Sequence, residues 1–442
     1  MAASPSNSDA WLETAQRLRE DGRHGAAADV VCAMWHETPA DPFVAHAVLA
    51  FLKECGLYER AWPIARAAMS RWPNDAHRRM DVGEIALALG AFDEASVALR
   101  CALDLNPQLG PAWLRLAHCR RFAAADEADV QRFRRAWHNA ELDSAARICV
   151  GFAYGKALDD LGDCAHAATV LVEANALAHR TGRWRRESWQ HALRARLCAA
   201  SLPSLPRDDD FCPVFVVGMP RSGTTLVAST LARHATVRDR GELNWIPALY
   251  ALLDEQRRLY DPQALAAIAG VIRAQMRSDD APARFYLDKN PLNFRYLDFI
   301  VACFPNAKIV HCRRGARDTA LSIWMQHFAH DDLGFAYDFS DIAAVQQGCV
   351  EAMSHWLAQL SVPILDVDYE RFVASPDAEQ ARLWEFLGVS SAESANGKRA
   401  TQAVTTASVW QVRQPVYAHA VQRWRRYASL LPELTTLFAE HE

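Results

Sequence analysis

The chain has little that suits a nucleic-acid binder, a disulfide scaffold or a membrane protein. Of its 442 residues, 48 are lysine or arginine and 53 aspartate or glutamate, a net charge of −5. No global basic field gathers phosphate backbones, so any anion site has to be built locally. The eleven cysteines are odd in number and scattered. None stands in a C-x-x-C pair, which argues against a zinc site or a disulfide framework and for reduced thiols. No run approaches the roughly 18 apolar residues of a membrane span. The opening stretch MAASPSNSDAW has neither the basic start nor the apolar centre of a signal peptide. A cytoplasmic protein is the expectation. What remains is ordinary globular composition, 51% hydrophobic and 23% charged, with length for two or three domains.

From Trp11 to about Phe122 the sequence repeats. Gly22, Gly56 and Gly90 are 34 residues apart, as are Pro39, Pro73 and Pro107, and Ala27, Ala61 and Ala95. Small alanines let paired helices approach closely, and proline ends the second helix of a unit. The period is that of tetratricopeptide repeats. Gly162, Ala167 and Ala174 form a looser unit, offset by 72 from Gly90, Ala95 and Ala102. Between them, residues 124–144 read as an inserted or irregular helical pair. Arg180, Arg183, Arg185 and Arg186 read as a solvated helix face. Such arrays present a concave surface that takes up peptides or partner proteins, although a structural extension explains the repeats equally. The expected division is a helical array over 1–200, a linker over 201–210 carrying two prolines and three acids, and a second domain over 211–442.

That second domain is organised around VFVVGMPRSGTTLVASTL, Val214–Leu231. The unbroken apolar run Val214–Val217 predicts a strand buried on both faces. GMPRSGTT follows as a polar turn, and helical spacing resumes at Leu226. Strand, glycine loop and helix form a phosphate cradle, with backbone N–H groups and a helix N-terminus facing the anion. Against G-x-x-x-x-G-K-[ST], Gly218, Gly223 and Thr225 fit, but Thr224 stands where the lysine should be. That lysine reaches the β/γ-phosphates, so its absence argues against ATP or GTP hydrolysis. A cation sits instead at Arg221.

P-R-S-G-T-T after an apolar strand resembles the 5'-phosphosulfate loop of sulfotransferases, which use 3'-phosphoadenosine 5'-phosphosulfate. With His234, Val237 and Glu242 in H-x-x-V-x-x-x-x-E register, the stretch is similar to tyrosylprotein sulfotransferases and their bacterial relatives. The resemblance spans about residues 212–430. It implies a P-loop-like parallel sheet behind the array, Arg221, Ser222, Gly223, Thr224 and Thr225 on the 5' end of the donor, and Glu242 as the base that takes the acceptor proton. His234, at the end of the loop helix, is expected to be structural. Lys289 in K-x-P is expected on the oxygen bridging sulfate and phosphate, helped by Arg221. Arg314 and Ser322, set as R-x-x-R-D and a serine eight residues on, match the 3'-phosphate motif. Tyr369, Ser408 and Arg423 are further nucleotide contacts carried over. No metal is expected, because protein cations stabilise the leaving group. Asn244 stands where the tyrosine-sulfating enzymes have an acceptor-holding arginine, so the acceptor stays open between peptide tyrosine, glycan and small molecule.

Strands that each lead into a helix imply parallel pairing, right-handed crossovers and ligands at the carboxyl ends. Two other classes remain at this point. A nucleotide kinase or triphosphatase on the same fold is opposed by Thr224 and by the lack of a clear acidic magnesium partner. A repeat scaffold with an inactive nucleotide domain is opposed by the joint presence of Arg221, Lys289, Arg314 and Ser322.

Overall fold

The computed structural model describes residues 7–279, 282–390 and 421–439. Its first half is a run of antiparallel helix pairs. They are α1 (Asn7–Glu20) and α2 (His24–Glu37), α3 (Pro42–Glu54) and α4 (Tyr58–Arg71), α5 (Ala76–Leu89) and α6 (Phe92–Leu105), α7 (Gly110–His118) and α8 (Ala128–Trp137), and α9 (Ser144–Asp160) and α10 (Cys164–Thr181). A last helix, α11 (Arg186–Leu197), follows. The recurring glycines close the first helix of a pair. Gly22, Gly56, Gly90 and Gly162 have φ of 76°, 71°, 83° and 83°, the left-handed region that glycine enters without a Cβ penalty. Ala27, Ala61, Ala95 and Ala167 are fully buried between paired helices. Residues 124–144, expected as an irregular helical pair, hold one helix, α8, whose Phe133 ring meets Trp113 of α7 edge-on. The connection from α7 to α8 runs over residues 119–127 in place of a glycine turn.

The second half is a five-stranded parallel sheet in the order β2-β3-β1-β4-β5. Its strands are β1 (Cys212–Gly218), β2 (Val237–Asp239), β3 (Phe285–Asp288), β4 (Lys308–Arg313) and β5 (Ile364–Asp368). The register places Phe215 beside Asp288 and Gly218 beside Cys312. Its helices are α12 (Thr224–Leu231), α13 (Trp245–Glu255), α14 (Pro262–Arg277), α15 (Leu297–Cys303), α16 (Ala316–Trp324), α17 (Phe339–Gln359), α18 (Tyr369–Ala374) and α19 (Pro376–Leu387). The apolar run of β1 feeds two cores. Val214 and Val216 join residues of α12 and α19, whereas Phe215 and Val217 face the opposite side with residues of α14, α15 and α17. Full burial of each such side chain stabilises by about 1.5–3 kcal/mol.

The array grips the sheet domain at both ends. At its start, the Asp279 carboxylate accepts from the Gly25 and Ala26 amides at 2.8 and 3.0 Å, and Gln275 Nε2 donates to the Arg19 and Glu20 carbonyls at 2.7 Å. At its far end, Asn175 Nδ2 donates to the Trp324 carbonyl at 3.1 Å, and a Cβ on Gly348 would lie 2.5 Å from the Trp189 ring. Arg186 is not on a solvated face. It pairs with the buried Asp341 of α17 at 2.5 Å. One apolar cluster runs from Ala76 through α9 and α10 into β1, α16 and α17. Among the described residues, no helix is long and apolar enough to cross a membrane.

Candidate active site

The loop leaving β1 is held in an unusual backbone shape. Gly218 has φ 139° and Gly223 φ 100°, and Arg221 takes a left-handed φ of 68°, rare for a residue with a Cβ. A Cβ at Gly218 would lie 2.4 Å from the Cys312 carbonyl oxygen of β4, and one at Gly223 would lie 2.8 Å from Tyr369 Cδ2. Both glycines are therefore required by close approach as well as by φ. Strain of this kind clusters at ligand clamps. Thr224 begins α12 with Gly223 at its N-cap, so the loop ends on a helix N-terminus. Ser222 is 2% exposed, and its Oγ is buried with no hydrogen-bond partner. An unmatched hydroxyl inside a cradle of this shape suits an anion oxygen.

Three more expected residues converge on this loop. Arg221 Nε donates to Ser322 Oγ at 3.1 Å, reaching across to α16. Arg314 Nη1 donates to the Arg221 carbonyl at 3.0 Å. The Arg314 guanidinium lies 4.6 Å from the centroid of the Tyr369 ring. Arg221, Ser322, Arg314, Tyr369 and Gly223 are thus one connected group from four segments of chain. Arg313 points away, 3.7 Å from both Asp366 and Asp368, and Arg317 lies over Trp424 while donating to the Phe438 carbonyl.

Glu242 and Lys289 meet as an ion pair in the loops that follow β2 and β3. The lysine side chain is 2% exposed and the glutamate side chain 47%, so the carboxylate opens to solvent over a buried ammonium. β3 lies beside β1, which sets Lys289 next to the strand that launches the glycine loop. His234 is buried. Its Nδ1 lies 2.8 Å from Thr236 Oγ1, its Nε2 lies 3.1 Å from the Ser390 carbonyl, and its ring meets Trp384 edge-on. These contacts close the loop helix, whereas the Glu242 carboxylate stays open to solvent.

The terminal contacts read differently. Ser408 lies outside the described residues. Arg423 forms a 2.5 Å ion pair with Asp159 of α9, and Tyr427 Oη donates to the same carboxylate at 2.7 Å. Those bonds tie the C-terminal segment to the array. Two features were not anticipated. Asp288 directly precedes Lys289, and burial pushes its carboxyl up to about 7 although three N–H groups bond it. A signal was present in the run D-K-N, because an aspartate two residues before a backbone amide commonly turns the chain. His118 of α7 is the second. Burial, with Lys156, Arg221 and Arg115 adding like charge, pushes its imidazole down to about 3.

Residues 213–393 match the family model described as Sulfotransferase family. These residues form a sulfotransferase-family domain. A protein of Aquifex aeolicus (strain VF5), described as uncharacterized, is 27% identical over 85% of this chain and 52% of its own length. Protein-tyrosine sulfotransferase 2 of Gallus gallus is 27% identical over 48% of this chain and 62% of its own. The chain thus spans about half to two thirds of the length of these relatives. A solved sulfotransferase domain from the Synechococcus PCC 7002 olefin synthase, 18% identical, covers 54% of this chain and 97% of its own at a TM-score of 0.37. The sulfotransferase domain here follows a helical array of tetratricopeptide type.

Proposed function

We propose that the protein transfers a sulfuryl group from 3'-phosphoadenosine 5'-phosphosulfate to an acceptor hydroxyl. The observation that carries this reading is the pairing of an exposed carboxylate with a buried ammonium beside an anion cradle. The family match of residues 213–393 supports it. Residues present suit the donor. Ser222 Oγ and the amides of residues 221–225 offer donors for the 5' end, and Arg314 with Ser322 offers donors for the 3'-phosphate. Tyr369, already stacked on Arg314, borders the same pocket.

In this reading the acceptor oxygen attacks sulfur while Glu242 takes the hydroxyl proton. The sulfur–oxygen bond to the 5'-phosphate breaks, and its electron pair leaves with the phosphate. Lys289 and Arg221 balance the charge that grows there. No divalent cation is called for in this scheme. The acceptor is a hydroxyl compound, and a peptide tyrosine is the first to test, given what the curated relatives are named for. The array beside the site suits recruitment of such a peptide. The test is incubation of the full chain with donor labelled on sulfur, together with tyrosine peptides, glycans and phenols. Label in an acceptor fraction, abolished by Glu242→Gln, supports the reading. Label that survives this substitution removes Glu242 from the role.

A further inference from the structure

Glu242 and Lys289 hang from two separate loops, and a glutamate that is half exposed does not hold its own place. Beside the ion pair itself, five hydrogen bonds join the loops. The Arg240 amide donates to the Leu287 carbonyl and the Lys289 amide to the Gly241 carbonyl, both at 2.8 Å. Asn290 Nδ2 donates to the Leu243 carbonyl at 3.1 Å and to Asn244 Oδ1 at 3.3 Å. The fifth is accepted by a carboxylate. Asp288 Oδ1 accepts from the Leu243 amide at 3.2 Å and from the Asn290 amide at 3.0 Å. Leu243 directly follows Glu242, and Asn290 directly follows Lys289. Asp288 Oδ2 is held in turn by Asn293 Nδ2 at 3.0 Å. The carboxylate is 1% exposed, so water does not replace any of these bonds.

We infer that Asp288 is a positioning residue, whose single carboxylate oxygen clamps the backbone next to Glu242 to the backbone next to Lys289 and so sets the geometry of the pair. This rests on the transfer reaction proposed above. An aspartate serving only its own turn would bond the Asn290 amide alone. The bond across to Leu243, 45 residues earlier in the chain, adds to the other links between the loops one that ends on the residue next to Glu242. Misplacing a reacting group by an ångström can lower a rate by about 10²-fold.

The test uses the full chain with two substitutions and two readouts. Asp288→Ala removes the clamp. It is expected to lower kcat by about tenfold to a hundredfold, to leave the donor KM within about threefold, and to speed hydrogen exchange at the Leu243 and Asn290 amides. Asp288→Asn keeps an acceptor for both amides. Asn293 Oδ1, buried without a partner, can receive the new amide once its own side chain flips. This variant is expected to restore kcat to within about threefold of the parent and to keep both amides protected. A folded Asp288→Ala protein with unchanged kcat or unchanged exchange overturns the inference. So does an Asp288→Asn protein that keeps amide protection but loses turnover as fully as Asp288→Ala does. Should Asp288→Ala not fold, Asp288→Asn alone decides by the same criteria. If the parent protein transfers no sulfuryl group, the reaction falls, and amide exchange still decides the clamp.

Discussion

Replacing Arg314 by alanine separates its contacts within the loop from the role proposed for it at the 3'-phosphate. In the free protein, Arg314 bonds the Arg221 carbonyl at 3.0 Å and stacks on Tyr369 at 4.6 Å. A hydrogen bond from a charged donor contributes about 1.5–3 kcal/mol, and a stacked guanidinium at a partly exposed site about 0.5–1 kcal/mol. Arg314 is only half-buried, so the lower ends apply. Arg314→Ala should lower unfolding stability by about 2 kcal/mol. The same change should remove donors from the 3'-phosphate, weakening 3',5'-bisphosphoadenosine by about tenfold to a hundredfold beyond any loss for adenosine 5'-phosphate. The two losses are read separately, by urea unfolding of the free protein and by calorimetric titration of each nucleotide into folded variant. Equal weakening of both nucleotides would show that Arg314 acts only through the loop carbonyl, and the 3'-phosphate assignment would be abandoned.

Glu242→Gln should keep nucleotide affinity and reduce turnover by about 10²–10⁴-fold, the contribution of a general base, measured by single-turnover label transfer; an unchanged rate moves the role elsewhere. Gly348→Val forces atoms into the Trp189 ring and should destabilise by about 1–3 kcal/mol, seen as a lower melting temperature; an unchanged melt would mean that α11 does not pack on α17 in solution. His118 and His327 are held neutral by burial down to about 3 and about 4. The unfolded chain protonates both near 6.5, so their contribution to stability falls as pH drops below that value. Glutamine at both positions should flatten the acid limb of urea midpoint against pH, and an unaltered limb would assign it to other groups.

The strand, glycine loop and helix were legible because glycine, hydroxyl and cation lie within eight consecutive residues after an apolar run, and the repeats because left-handed glycines recur at a fixed period. The family resemblance also pointed to Lys289 and Arg314. Features made by distant segments were not legible. β2 is three residues long, too short for alternation to register. The partner that makes Asp288 a clamp lies in another loop. Arg186 carries no mark that separates a solvated arginine from one bound to Asp341, 155 residues on. Arg423 looked like a nucleotide contact by its neighbours in sequence, whereas folding brings it to Asp159 in the array. The shared apolar cluster across both halves likewise exists only once the array has curved back onto α14 and α17.

The central claim is that this loop and its arginines hold a nucleotide bearing a 3'-phosphate. A thermal-shift titration of the full chain tests it most directly, with 3',5'-bisphosphoadenosine, adenosine 5'-phosphate and ATP with magnesium in parallel. At about a hundred times its Kd, a ligand specific to the folded state adds about 2.7 kcal/mol of stability. The account predicts a clear upward shift with the bisphosphate and a smaller one with adenosine 5'-phosphate. A shift with ATP and magnesium but none with the bisphosphate would contradict it.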